Sequence, residues 1–546
     1  MEYVLDIETN IYEYNCECYL IGAVDFETES YFESKDWDNF FNLTVYENST
    51  FWVHNLRFDG VYLMYWLFEK GYKFNNVKTS QLRKNEFKTI INAMGMYYTI
   101  IFKYKKYIIT FKDSAKIIPL KVSQIGKAFG YQDMNKGIYD YEKIRTYENL
   151  TVEDKEYNKQ DNLIVVKAIK KLKEQGLTAN TQAGNGLKDF KQTITSKLYN
   201  YHYNYQNYDD EIRKAYYGGL VLVKKGIENK DIGKGFVYDE NSAYPYVLKN
   251  CRLPFYEPIK CEGKYKYDKQ YNLYIQNIDV MFTLKKGYLP FISVKDNALF
   301  KTTEHIEDTK GEIINLSLTN IDYKNLFKHY NILYIKHNYY IKFMSKKGLF
   351  DKYVDKWYDI KKKAGKENPA LRTIAKFMLN ALTGKFAKKI HNGMKEPYLS
   401  DDNIIKFKNY TEETKGLYCA LSAFITAYAR DRLLKTAQDN YQNFLYCDTD
   451  SLHLTDIIKN ANVGKELGDW DLEFEFKRAR YIRAKCYIEE NDTETIVKCA
   501  GMSDELKKKI NYDNFKIGLE LSGKKVLKII EKGCILHETT FKIKNI

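Results

Sequence analysis

This chain is poor in the residues that usually separate modules. Only 7 of its 546 residues are proline, and no Gly/Ser-rich stretch interrupts it, so no flexible tether between domains is expected. Long apolar runs are missing too. The longest, such as Val61 to Phe68, are far too short to cross a bilayer. The 9 cysteines lack the paired spacing of a zinc site, with Cys16 and Cys18 forming only a C-x-C. Free thiols in a reducing compartment are expected. Acidic and polar residues break up the opening segment, which does not read as a secretory signal, and a cytoplasmic location follows. No internal repeat marks domain edges, which must come from motifs.

Charge is abundant. There are 86 Lys/Arg against 72 Asp/Glu, a net charge of +14, which favours a polyanionic partner. The surplus is concentrated: Lys346 to Lys389 holds 13 basic and 4 acidic residues, 9 of the 14 excess charges. Tyr and Phe are frequent, at 50 and 30, and aromatics interleaved with lysine suit base stacking along a single strand. The length is enough for several packed domains.

The acidic residues fall in two spaced sets. Tyr446-Cys447-Asp448-Thr449-Asp450-Ser451 sits between apolar Phe444-Leu445 and Leu452-His453-Leu454, as a strand, a turn and a strand. Asp448 and Asp450 project to one side of such a tip. Two carboxylates in an apolar setting repel each other unless a cation neutralises them. The second set starts at the strand-like Tyr3-Val4-Leu5-Asp6-Ile7-Glu8-Thr9, where Asp6 and Glu8 share a face. Asn55-Leu56-Arg57-Phe58-Asp59 follows an apolar stretch, and Tyr157 and Asp161 stand four apart with helical spacing, hence on one helix face. Four carboxylates and a phenol suit two-metal phosphodiester hydrolysis, with Tyr157 placed to orient the attacking water.

These strings resemble, in order, the motifs of the family-B DNA polymerases. Asp6/Glu8, Asn55/Phe58/Asp59 and Tyr157/Asp161 are similar to the three motifs of proofreading 3′–5′ exonucleases. Asp239-Glu240-Asn241-Ser242-Ala243-Tyr244-Pro245 resembles motif A, with Ala243 in place of leucine. Arg372 to Gly384, containing Lys376, Asn380 and Thr383, resembles motif B and is expected as one helix ending at Gly384. There Ala381 replaces a serine and Thr383 a tyrosine. Tyr446 to Ser451 resembles motif C. Tyr216-Tyr217-Gly218-Gly219, Thr426-Ala427-Tyr428-Ala429-Arg430 and Lys485-Cys486-Tyr487 resemble three shorter elements of the family. Lys136 to Lys143 is similar to a phage stretch that carries an auxiliary exonuclease lysine, matched by Lys143. The likeness is to the protein-primed, phi29-like polymerases of small phages. Val497 to Asp504 resembles their thumb entrance, and the 137 residues from Asp239 to Lys376 and 64 from Gly384 to Asp448 leave room for the two insertions that mark this group.

The resemblance implies a mixed, multidomain α/β chain: an RNase H-like exonuclease domain over about residues 1–180, then a right-hand polymerase over about 181–546. Within the latter it implies a palm (about 181–250 and 417–498), a first insertion (about 251–349), fingers (about 350–387), a second insertion (about 388–416) and a thumb (about 499–546). The implied metal ligands are Asp239, Asp450 and Asp448 in one site and Asp6, Glu8, Asp59 and Asp161 in the other, each holding two magnesium or manganese ions. Tyr244, Arg372, Lys376, Asn380 and Thr383 would bind the nucleotide. Asn55, Phe58, Tyr216, Gly218, Gly219, Thr426, Arg430, Lys485 and Tyr487 would contact DNA. The implied activity is proofreading DNA synthesis from a separate terminal protein with strand displacement, by a monomer. Two alternatives are a nucleic-acid-primed family-B polymerase and an exonuclease whose polymerase half only grips DNA. A non-enzymatic DNA-binding scaffold needs neither acidic cluster.

Overall fold

A computed structural model describes residues 1–12, 15–131, 139–293 and 305–544. Lys136, Gly137 and Ile138 of the phage-like stretch lie outside the described residues, as do 294–304 of the first expected insertion.

The N-terminal half of the architecture is an eight-stranded mixed sheet. Its central strand, Glu2–Thr9, is rich in Val, Leu and Ile because both of its faces are covered. It pairs antiparallel with Cys18–Asp25 and parallel with Ser49–Val53. Tyr3, Leu5 and Ile7 pack on one side with the helix Leu56–Glu69. Val4 faces the other side, in the same core as Ile164, Val165 and Ala168 of the helix Val152–Glu174. The period-2 alternation therefore puts Asp6 and Glu8 on the side of the second helix.

The second half is built round a five-stranded sheet in the order Trp470–Phe476, Gly235–Glu240, Ser451–Leu454, Phe444–Asp448, Val221–Val223. Leu222, Tyr238, Cys447 and Leu452 line one face and share a core with Leu433, Leu434 and Ala437 of the long buried helix Cys419–Asp439. The opposite face packs Val223, Val237 and Tyr446 against Ala479 and Tyr481, from the three-stranded sheet Arg478–Arg483, Cys486–Glu490, Thr495–Cys499. Residues 251–349 contain a four-stranded antiparallel sheet, and 388–416 the hairpin of His391–Leu399 and Ile405–Glu413.

The chain's last hairpin, Glu520–Ile530 with Gly533–Lys542, returns to the first sheet. Tyr62 donates from its hydroxyl to the carbonyls of Cys16 and Cys534, at 2.9 and 3.0 Å, and Tyr65 to that of Ile530 at 2.5 Å. All 9 cysteines are free. Among the described residues no helix is long and apolar enough to cross a membrane.

The expected helix Arg372–Gly384 needs correcting at both ends. It runs from Pro369 to Ala381, opened by Asn368, whose side chain accepts from the Leu371 N–H, with Pro369 in the first turn. Gly384 has φ −87°, so it does not supply the left-handed stop expected of a glycine past a helix end.

Candidate active sites

Strand register assembles the first site. Asp239 and Asp448 each lie opposite Ser451, from the strands on either side of it. Directly paired residues point to the same face, so Asp239, Ser451 and Asp448 form a row across three strands. Asp450 sits in the turn before Ser451, where Thr449 takes φ +64° and the Glu240 N–H donates to the Asp450 carbonyl at 2.8 Å. Burial pushes the Asp239 carboxyl up to about 7, reinforced by the charges of Asp450 and Glu473 and opposed by Lys376. Burial, then Asp448, raises Asp450 as well. Asp448 is engaged differently: Lys485 Nζ lies 2.6 and 2.7 Å from its two oxygens, and the Tyr446 hydroxyl donates to it at 3.1 Å.

Tyr244, in the first turn of the helix Ala243–Asn250, has its phenol raised to about 12, by burial first and the Asp450 charge second. The helix Pro369–Ala381 buries Ile374, Ala375, Met378 and Leu379 and exposes Arg372, Lys376 and Asn380, a polar stripe as the spacing predicts. Thr383 lies beyond this helix and belongs to no such stripe. Asp448, Asp450, Ser451, Glu473, Lys485 and Tyr487 line a cavity of about 800 Å³.

Two residues of this site escaped sequence reasoning. Lys361, on the helix Asp351–Ala364, donates to the Ser242 hydroxyl at 3.1 Å. Burial, then the charges of Arg372 and Lys376, lowers its ammonium, with Asp239 opposing. One lysine of the run Lys361-Lys362-Lys363 carries no spacing signal, so nothing distinguished it. Glu473, whose charge reaches Asp239 and Asp450, had a faint signal in the alternation Asp471-Leu472-Glu473-Phe474-Glu475.

Two expected DNA contacts are not where the resemblance put them. Thr426 is buried and donates to the Ser422 carbonyl at 3.0 Å. Arg430 is also buried, giving its guanidinium to the carbonyls of Tyr217 and Gly218 and to Asp322 at 2.7–2.8 Å. Arg430 thus braces the segment Tyr216–Gly219 from within. Gly218 and Gly219 of that segment are exposed. A Cβ on Gly219 would stand 2.6 Å from Thr449 Oγ1, so only glycine lets the segment lie against the Asp448–Asp450 turn.

The second site gathers residues from a strand and two helices. Asp59, buried in the first turns of the helix Leu56–Glu69, accepts from the Ile7 N–H at 3.1 Å. Its carboxyl is raised well above the ordinary range, by burial first and the Asp6 charge second. Asn158 donates to the Asp6 carbonyl and to Glu8 Oε1 at 3.2 and 3.3 Å. Asp161 and Tyr157 are buried on the same helix. The Tyr157 phenol is raised, by burial, then by its hydrogen bond to Tyr141, then by Asp161. Asn55 enters the helix in the left-handed region, φ +77°, with Phe58 half-buried one turn on. Lys143 is exposed. Its neighbour Arg145 is the buried cation, 2.9 Å from Asp154 and stacked on Tyr139, which stacks on Tyr157.

Both sites offer oxygen donors alone, which suits magnesium or manganese and not zinc. Carboxyls that raise one another are what a divalent cation would relieve. Among the described residues, however, no three His, Cys, Asp or Glu side chains already surround one ion-sized point, and Asp448 spends its charge on Lys485.

The profile of DNA polymerase type B, organellar and viral, matches residues 42–201 and 136–466. The chain is 36% identical to the DNA polymerase of Bacillus phage M2 and 35% to that of Bacillus phage phi29, covering 99% of each chain. Its fold superposes on phi29 DNA polymerase complexed with primer-template DNA and incoming nucleotide substrates with a TM-score of 0.93, at 34% identity and over all of both chains.

Proposed function

This chain belongs to the type B DNA polymerases, organellar and viral, as a phi29-like phage DNA polymerase, and on that premise we propose that it is a protein-primed replicase with a separate 3′–5′ proofreading site. DNA polymerases of this kind use divalent metals. Here Asp239 and Asp450, with Asp448 close by, would hold two magnesium or manganese ions, which neutralise phosphate charge and ease ionisation of the attacking hydroxyl. The observation that carries the proposal is the strand register that sets Asp239 opposite Ser451, next to Asp450 in the chain, while burial and the Asp450 charge push the Asp239 carboxyl up to about 7.

The primer 3′-hydroxyl attacks the α-phosphate of a deoxynucleotide, and pyrophosphate leaves. Lys376, Arg372 and Lys361 neutralise the triphosphate, and Asn380 lies in the same stripe. Tyr244 walls the sugar pocket, where a rigid ring excludes a ribose 2′-hydroxyl. Lys485 and Tyr487 border the cavity that takes the primer end. At initiation a hydroxyl of a separate terminal protein takes the primer's place, and the basic surface binds template phosphates in a salt-dependent way. In the N-terminal site Asp6, Glu8, Asp59 and Asp161 would hold the hydrolytic metals, and Tyr157 orients water. We place this work, including displacement of the downstream strand, in the cytoplasm of the infected bacterium.

A labelled primer-template with magnesium tests the two-site proposal. Wild type should extend with dNTPs and degrade without them, and Asp239→Asn should lose extension alone. Wild-type degradation without extension would leave a nuclease with a DNA-gripping half. Formation of a covalent protein–nucleotide adduct with a co-encoded partner tests the priming step.

A further inference from the structure

Behind the row of Asp239, Ser451 and Asp448 runs a second row on the same face: Val237, His453 and Tyr446. Two of these are the apolar or aromatic residues a sheet interface calls for. His453 is not, and it is 1% exposed. Its Nδ1 lies 2.5 Å from Glu489 Oε1, itself on a residue 1% exposed, and the Tyr481 hydroxyl donates to the same oxygen at 2.6 Å. Its Nε2 lies 3.1 Å from the Ser451 hydroxyl. Tyr446, Tyr487 and Tyr481 enclose the imidazole edge-on, with centroids 5.0, 5.2 and 5.8 Å away.

A buried carboxylate and imidazole cost free energy to desolvate, and an apolar pair of similar volume would commonly serve stability as well or better. Here the polar chain from Tyr481 through Glu489 and His453 emerges at Ser451, which is half-buried and lines the cavity beside Asp450. The acceptor at the buried end fixes the direction of the first bond. Glu489 takes the Nδ1 proton, and in the tautomer protonated there alone Nε2 accepts the Ser451 O–H. With its proton committed inward, the Ser451 oxygen shows the cavity only lone pairs.

We infer that Ser451, held by His453 and Glu489, is the hydrogen-bond acceptor that orients the priming hydroxyl. The donor is the terminal 3′-hydroxyl of the primer, or a side-chain hydroxyl at initiation. The inference rests on the assignment of Asp239 and Asp450 as the synthetic site. Ser451 forms no covalent bond. It fixes the rotation of the C–O bond so that the oxygen lone pair faces the α-phosphate. His453 and Glu489 act through Ser451 and are positioning residues.

The test compares equilibrium binding of two primer-templates in magnesium, one ending in a 3′-hydroxyl and one in a 3′-deoxy sugar, both with phosphorothioate terminal linkages to block degradation. Wild type should prefer the hydroxyl-ended primer about 3- to 10-fold, the worth of one net hydrogen bond. Ser451→Ala should erase the preference while melting with wild type, and Ser451→Thr should restore it. His453→Leu should erase it with the serine still present. A merely structural relay would change the melting temperature and leave the preference intact. Retention of the full preference by Ser451→Ala, or its absence in wild type, overturns the inference. A wild type that extends no primer at all overturns the assignment beneath it.

Discussion

The two acidic sites solve the same electrostatic problem with different surroundings. In both, burial and a neighbouring carboxylate raise a key carboxyl: Asp450 acts on Asp239, and Asp6 on Asp59. Around Asp239 the fold also brings cations of its own. Lys376 opposes the rise, Lys361 feels the Asp239 charge, and Lys485 pairs with Asp448. Around Asp59 the offset comes from backbone N–H groups, those of Ile7 and of Asp59 itself. A site that takes a triphosphate and releases pyrophosphate must neutralise several phosphate charges at once. A site that cuts one phosphodiester needs less, and fixed dipoles with bound metal are enough. On the proposed two-site reading, the lysines are the feature that separates synthesis from hydrolysis.

Breaking either carboxylate set should give the largest effects, and they should be reciprocal. Asp239→Asn or Asp450→Asn is expected to reduce primer extension by about a thousandfold or more, on the scale of several kcal/mol of lost charge stabilisation, with degradation of single-stranded DNA preserved. Asp6→Ala with Asp59→Ala is expected to do the reverse. Gel assays of both activities on each protein decide the matter, and parallel loss of both in a folded variant would count against independent sites.

The lysines sharpen the contrast. Lys376→Ala should raise the dNTP concentration for half-maximal extension by about 10- to 100-fold, as expected for losing hydrogen bonds to a charged group. Degradation should be unchanged. Lys361→Ala should move the same quantity in the same direction by less, because its ammonium also serves Ser242. A fall in both activities would mean that these residues support the fold rather than the nucleotide.

Both sites were legible as far as local spacing reaches. Asp6 with Glu8, Tyr157 with Asp161 and Asp448 with Asp450 are each placed by the period of one strand, helix or turn. What spacing cannot supply is the partner across the fold. Arg430 looks like a phosphate ligand until the carbonyls of Tyr217 and Gly218, more than two hundred residues away in sequence, are seen to occupy it. Lys361 is one of three consecutive lysines, and only the approach of Asp239 and Ser242 singles it out. The relay from Glu489 to Ser451 joins two sheets, and neither His453 nor Glu489 carries a mark in the sequence. Such contacts depend on tertiary packing, which single-sequence patterns do not encode.

The raised carboxyl gives the comparison a thermodynamic form. Asp239 ionises near 7 in the metal-free fold and near 3.9 when unfolded. Between those values the folded chain holds a proton that the unfolded chain has released, so stability falls as pH rises through that window, and the full penalty stands above 7. In EDTA, Asp239→Asn should therefore melt about 1–2 °C above wild type at pH 8, with the gap closing toward pH 5. Magnesium at pH 8 should raise the wild-type midpoint more than the variant's. A gap that does not change with pH would mean that the substitution acts through packing.

The smallest effect concerns Thr383. The family's motif places a tyrosine here, at the nucleotide pocket, and the expected helix would have carried it on the same face as Lys376 and Asn380. Instead the helix ends at Ala381. Thr383 is half-buried, its carbonyl accepts from the Ser422 hydroxyl at 2.8 Å, and its own hydroxyl is buried with no hydrogen-bond partner. An unsatisfied buried hydroxyl contributes nothing to stability, so replacing it forfeits little. A tyrosine ring would add a stacking surface beside the base. Thr383→Tyr should tighten dNTP binding about threefold, within the usual worth of an aromatic stack, and leave degradation as it was. Unchanged or weaker nucleotide binding, in a variant that melts with wild type, would show that the early helix end points residue 383 away from the base and leaves Tyr244 as the aromatic wall of the pocket.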